Sequence, residues 1–162
     1  MYKVHKIIFA VLFVIIFVLS YLLNISITEI RSDMLTVISI IQGFVITVLS
    51  IMIGQDFIKN LNTKIDNRTT LKQTKLQTLS YYFRNAFIFG IVNIALLVLL
   101  GIKSDNIYNL LSKIMDSDKI LIVQYLFYRI INSLAISFFV INLVLVFFLW
   151  RVLMNLFIKS GK

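Results

Sequence analysis

Charged side chains leave four long stretches of this chain free of them. Lys6 to Glu29 encloses 22 uncharged residues (7–28), Asp33 to Asp56 another 22 (34–55), Arg84 to Lys103 encloses 18 (85–102) and Arg129 to Arg151 encloses 21 (130–150), while no other gap exceeds 9. A helix rises about 1.5 Å per residue, so roughly 20 apolar residues cross the hydrocarbon core of a bilayer. Each window fits one crossing. Closed barrels, the other spanning architecture, alternate polar and apolar residues, and stretches such as 7–18 and 143–150 do not. With 60% hydrophobic and 14% charged residues, the chain departs from soluble domains, which carry about 25% charged residues, and from disordered chains, which are poor in apolar ones.

The pattern therefore predicts an all-α integral membrane protein with four transmembrane helices, spanning about 7–27, 34–55, 84–102 and 130–151, in one domain that takes up 1–162. The first span follows a basic start, but its apolar run (7–23) exceeds the roughly 7–15 residues of a secretion signal and lacks a small-x-small cleavage site. It is expected to be a retained anchor. With the N-terminus in the cytoplasm, eleven basic residues lie inside (Lys3, Lys6, Lys59, Lys64, Arg68, Lys72, Lys75, Arg84, Arg151, Lys159, Lys162) and five outside (Arg31, Lys103, Lys113, Lys119, Arg129). The positive-inside rule favours this N-in, C-in orientation. Only Asp56 and Asp66 of the seven acids fall inside, which puts the whole formal +9 on the cytoplasmic side.

The connections carry patterns of their own. Ile58, Leu61 and Ile65, then Leu71, Leu76 and Leu79, recur near helical spacing around the turn-like 66–70. They predict a cytoplasmic helical hairpin over 56–83 that extends spans two and three. Within the outer loop, 103–129, an apolar stripe of Ile107, Leu110, Leu111 and Ile114 predicts a short helix lying in the outer interface. Asp118 is placed to cap the helix that leads through Arg129 into span four.

Chemistry has few carriers. The absence of Cys and the single His5 exclude disulfides, thiolate metal sites and paired imidazole ligands. No base lies near the membrane hydroxyls in depth, so no catalytic residue, metal ligand or cofactor is assigned and the chain is read as a non-enzyme. No charged residue lies deep in any span, which argues against proton or cation coupling.

Three constellations remain. In span two, Thr36, Ser39, Gly43, Thr47, Ser50 and Gly54 recur at spacings of 3, 4, 4, 3 and 4, on one helix face, and Gly90 belongs to a weaker pattern in span three. Small residues let helix backbones approach closely in lipid. The stripe thus serves packing within a protomer, a subunit interface or a pore lining. Gln42, Asn93 and Asn142 sit within about two residues of their span centres, hence at one depth. They are either interhelical glue, contributing about 0.6–2 kcal/mol each, or a polar ring at the waist of a water-filled path. The basic set Lys59, Lys64, Arg68, Lys72 and Lys75 fixes topology and touches anionic lipid, or docks an acidic cytosolic protein. Direct nucleic-acid binding is not expected, because the charges are dispersed.

The run ISIIQGFVITVLSIMIGQ over 38–55, ending Ile53-Gly54-Gln55 and followed by a basic stretch and the third span, resembles the small four-span inner-membrane proteins of phage-exclusion and anti-phage systems, of the RexB and KwaA kind. The resemblance implies a homo-oligomer in a bacterial cytoplasmic membrane that senses membrane disturbance, anchors a soluble effector, or opens a pore. A sensing or anchoring subunit is the preferred expectation and a homo-oligomeric ion channel the alternative. A small carrier or bacteriocin-immunity protein stands third.

Overall fold

In a computed structural model of the chain, residues 3–53, 74–102, 106, 112 and 117–160 are described. Of the hairpin expected over 56–83, residues 56–73 lie outside them, as do residues 107–111 and 113–114 of the expected outer interfacial helix, and Gly54, Lys59, Lys64, Arg68 and Lys72. Four long helices are present among the described residues: α1 (Lys3–Leu22), α2 (Arg31–Ile53), α3 (Lys75–Leu99) and α4 (Ser117–Ser160). Each contains a segment long and apolar enough to cross a membrane: Val4–Leu22, Arg31–Ser50, Lys75–Leu99 and Lys119–Asn155. An apolar solvent cannot hydrogen-bond a peptide group, so a chain this hydrophobic must satisfy its backbone internally, and helices do so segment by segment.

The helix ends follow from local chemistry. Just past α1, Asn24 adopts a left-handed conformation (φ 50°), which short polar side chains tolerate, and the Ile25 N–H turns back to the Ser20 carbonyl at 3.2 Å. This is the Schellman type of ending. Thr74 opens α3 with a capping box: its hydroxyl accepts from the Gln77 N–H at 3.2 Å, and the Gln77 side-chain oxygen accepts from the Thr74 N–H at 3.1 Å. Two orphan donors are satisfied reciprocally. As a result α3 begins nine residues before Arg84, the charge that opens the third charge-free window. α4 runs unbroken through Arg129 for 44 residues, about 66 Å at 1.5 Å per residue. That is roughly twice the hydrocarbon thickness of a bilayer.

The helices alternate in direction. At the basal end, where α1 and α3 begin, His5 packs against Phe148 and shares a hydrogen bond with Tyr82. At mid-depth Phe138 meets both Phe13 and Phe89 edge-on. The distal end brings Tyr21 to Arg129, Tyr128 to Ile102 and Arg31 to Gly101. α4 is the central element, packing extensively against α1 and α3, whereas α2 packs mainly on α3 and only lightly on α4.

Buried apolar residues fall into two groups. A basal cluster includes Val45, Phe83, Ala86, Leu145 and Leu149, and a distal one includes Ile27, Met34, Ile38, Leu97 and Ala135. Apolar residues on the outside of the bundle are abundant: on α1, Val4, Ile7, Val11, Val14, Leu19 and Leu22 are all exposed. An all-round apolar surface of this kind is what a hydrocarbon environment selects.

Candidate functional site

Between the two apolar clusters lies a polar layer. Gln42 of α2 (7% exposed), Asn93 of α3 (0%) and Asn142 of α4 (0%) are all buried, and the carboxamides of Gln42 and Asn142 meet against one point on α3. That point is Gly90. A Cβ there would overlap the Gln42 carboxamide and stand 3.1 Å from Nδ2 of Asn142. Asn93 follows Gly90 by three residues and so shares its helix face. The missing side chain of Gly90 is the notch into which Gln42 fits. From it Nε2 of Gln42 donates to the Ala86 carbonyl at 3.2 Å, a bond between α2 and α3 four residues before the notch.

The remaining polar atoms of the layer are unpaired. Oε1 of Gln42 and both amide atoms of Asn93 and of Asn142 have no protein hydrogen-bond partner. Each such atom costs about 1–3 kcal/mol when buried bare. Five of them together would approach the whole net stability of a typical domain, about 5–15 kcal/mol. Interhelical glue thus accounts for one bond of the layer, the one made by Gln42.

The small-residue stripe of α2 points the other way. Thr36, Ser39, Gly43, Thr47 and Ser50 are all exposed, and a Cβ added at Gly43 would meet nothing within 4 Å. Their hydroxyls need no outside partner. Thr36 donates to the Ser32 carbonyl at 3.0 Å, Ser39 to Leu35 at 2.8 Å, Thr47 to Gly43 at 2.8 Å and Ser50 to Ile46 at 2.9 Å. The stripe and Gly90 therefore separate: Gly90 packs inside the bundle, and the five residues of α2 lie exposed on its outside. Ile40, Phe44 and Ile46 flank the stripe, also exposed. Lys75, of the basic set, is the half-buried first residue of α3.

Sequence reasoning gave Arg129 only a topological role, yet it ties the distal end together. Its Nε and Nη2 donate to the Tyr21 carbonyl at 2.9 and 2.6 Å, and its guanidinium stacks over the Tyr21 ring, 4.3 Å from the centroid. The end of α1 leaves carbonyls without helical partners, and a planar guanidinium can serve one of them with two donors while covering an aromatic face. Tyr125, one turn before Arg129, adds a second ring at 5.9 Å. The Tyr125-x-x-Tyr128-Arg129 spacing was the available signal. His5 joins α1 to α3 through its hydrogen bond with Tyr82.

No group of three or more His, Cys, Asp or Glu able to hold a metal occurs among the described residues. What the fold defines is a class: an all-helical chain with four helices able, by length and composition, to span a membrane. Comparison with protein-family models, with curated proteins and with solved structures gives no match.

Proposed function

We propose that this chain is a non-enzymatic membrane subunit that self-associates through the outward face of α2. In this reading it orients N-in and C-in in a bacterial cytoplasmic membrane and uses its cytoplasmic basic residues to hold a cytosolic effector, or to pass on a disturbance of the bilayer. Anti-phage defence is the setting that the sequence resemblance implies. The observation that carries the reading is the exposed row of Thr36, Ser39, Gly43, Thr47 and Ser50. In lipid there is no hydrophobic drive between helices, so association rests on close backbone approach, which a small-residue row allows. Internally bonded hydroxyls add no desolvation cost to that approach.

Because the chain has no Cys, single engineered thiols test this cleanly. Oxidation in native membranes should link Gly43→Cys and Thr36→Cys into dimers, and should leave Val14→Cys, on the exposed face of α1, monomeric. Equal linkage at all three positions, or none, would defeat the self-association reading. Co-purification from mild detergent tests the effector: a cytosolic protein should be retained by the native chain and lost when Lys59, Lys64, Lys72 and Lys75 become Gln.

One observation favours a second reading, a homo-oligomeric channel. Four hydroxyls on one exposed face could line a central path if several α2 helices gathered around it. Reconstituted protein would then conduct ions, with Thr47→Leu abolishing the flux. Silence of the native protein under membrane depolarisation and stretch would count against it.

A further inference from the structure

We propose that Gln42, Asn93 and Asn142 form an occluded hydration site, a small group of water molecules held at mid-depth in the core of the bundle. Each carboxamide presents two N–H donors and a carbonyl acceptor, and five polar atoms of the three are buried with no protein partner. Gln42 has already committed its Nε2 to the Ala86 carbonyl. Although Gln42 and Asn142 press against the same glycine, neither bonds to the other. The three side chains come from three different helices, and no hydrogen bond joins one amide to another.

The chemistry of the set selects the guest. It mixes donors and acceptors in similar number and carries no formal charge. A bare cation would find three carbonyls beside two repelling NH2 groups and no carboxylate to balance it. An anion would meet the opposite defect. Water both donates and accepts, and buried water characteristically makes about three hydrogen bonds to groups that would otherwise be unsatisfied. The distal cluster around Ile38 and Leu97 and the basal cluster around Val45 and Leu145 lie on either side of the layer. The site is therefore enclosed, not a stage of a continuous path. Its consequence for the fold is register: the α2 helix can satisfy Gln42 at one height only, opposite the notch at Gly90.

Water-edited solid-state NMR of the full chain in lipid bilayers decides the matter. Val92–Asn93 is the one Val–Asn pair in the sequence, so carbonyl-labelled Val with uniformly carbon- and nitrogen-labelled Asn selects the Asn93 backbone, from which carbon correlation reaches its side-chain NH2 without any substitution. The side-chain NH2 of Asn93 should receive polarisation from water as fast as that of the exposed Gln77, while the backbone amides of Ile38, Leu97 and Leu145 stay dark. Its shifts should not change when sodium is replaced by potassium or choline. A dark Asn93 side chain would mean that the amides pair directly, and the proposal fails. A shift specific to one cation would also overturn it, in favour of an ion site.

Discussion

On the outward face of α2, four hydroxyls each donate to the carbonyl one turn back, whereas on the inward face Gln42 reaches across to α3 and keeps an oxygen without a protein partner. The same helix thus carries two polar surfaces that meet an apolar environment differently. The outward one is self-contained and can face lipid or another helix at no extra cost. The inward one depends on what surrounds it. Its two glycine contacts show the same contrast, since Gly90 is filled by a neighbouring carboxamide and Gly43 faces open space.

Putting one substitution at both glycines breaks this contrast most severely. Gly90→Leu drives a side chain into the Gln42 carboxamide, and the expected loss is about 3 kcal/mol or more, from overpacking together with the lost bond to Ala86. Gly43→Leu should leave the fold within about 0.5 kcal/mol of the parent, as for surface positions generally. Thermal unfolding in detergent measures both. Equal losses would mean that the two faces are not what the geometry says.

Next in size is a test of the carboxamide layer as a unit. With water shared among the amides, Gln42→Leu, Asn93→Leu or Asn142→Leu alone should cost about 1–3 kcal/mol, because each removes groups that hold this water and leaves the other two amides short of partners. The triple change of Gln42, Asn93 and Asn142 to Leu should cost far less than the three single losses added, since replacing all partners by apolar groups of similar shape comes close to neutral. Chemical unfolding of the four variants gives the comparison. Strict additivity would show the three amides to be energetically independent.

The number of long helices was legible because ionised groups are excluded from hydrocarbon, and gaps between them can be counted without any knowledge of packing. Their limits were less so. The start of α3 at Lys75 is set by Thr74 and Gln77, a capping signature outshone by the nearby turn-like residues, whereas the helix expected to lead from about Asp118 through Arg129 into span four matches α4, which begins at Ser117. For the site, equal depth singled out Gln42, Asn93 and Asn142. Depth says nothing of azimuth, so their inward direction and the notch at Gly90 needed the helices in place. The α2 stripe was visible as a face, but spacing alone cannot tell whether a face looks in or out. That depends on which neighbour the helix meets, and α2 meets α3 through the side that bears Gln42.

At the distal end, where α1 is tied through a backbone carbonyl, the effect is smaller. Arg129→Lys keeps the charge but loses the planar pair of donors to Tyr21 and the stacked contact with its ring. A cost of about 1.5 kcal/mol follows, at the low end of the net value of a hydrogen bond to a charged group. Thermal unfolding should record the drop while α2-mediated disulfide linkage at Gly43→Cys stays intact, because α1 and α2 have separate attachments. Loss of that linkage would show that the two helices are coupled.

The smallest effect expected is also the one that separates the two uses of the outward face. Ser39→Ala and Thr47→Ala each remove a hydroxyl that serves only the carbonyl of its own helix, and those carbonyls keep their ladder bonds, so stability should move by less than about 0.5 kcal/mol. Alanine is still small enough for close backbone approach, and a packing face should retain its self-association. A face that lines water would behave otherwise, because removing its hydroxyls changes the wall of the path while the assembly stays whole. Dimer linkage and ion flux measured on the same Thr47→Ala preparation therefore divide the readings. Unchanged linkage with no flux in either protein supports the packed subunit, and unchanged linkage with altered flux supports the channel.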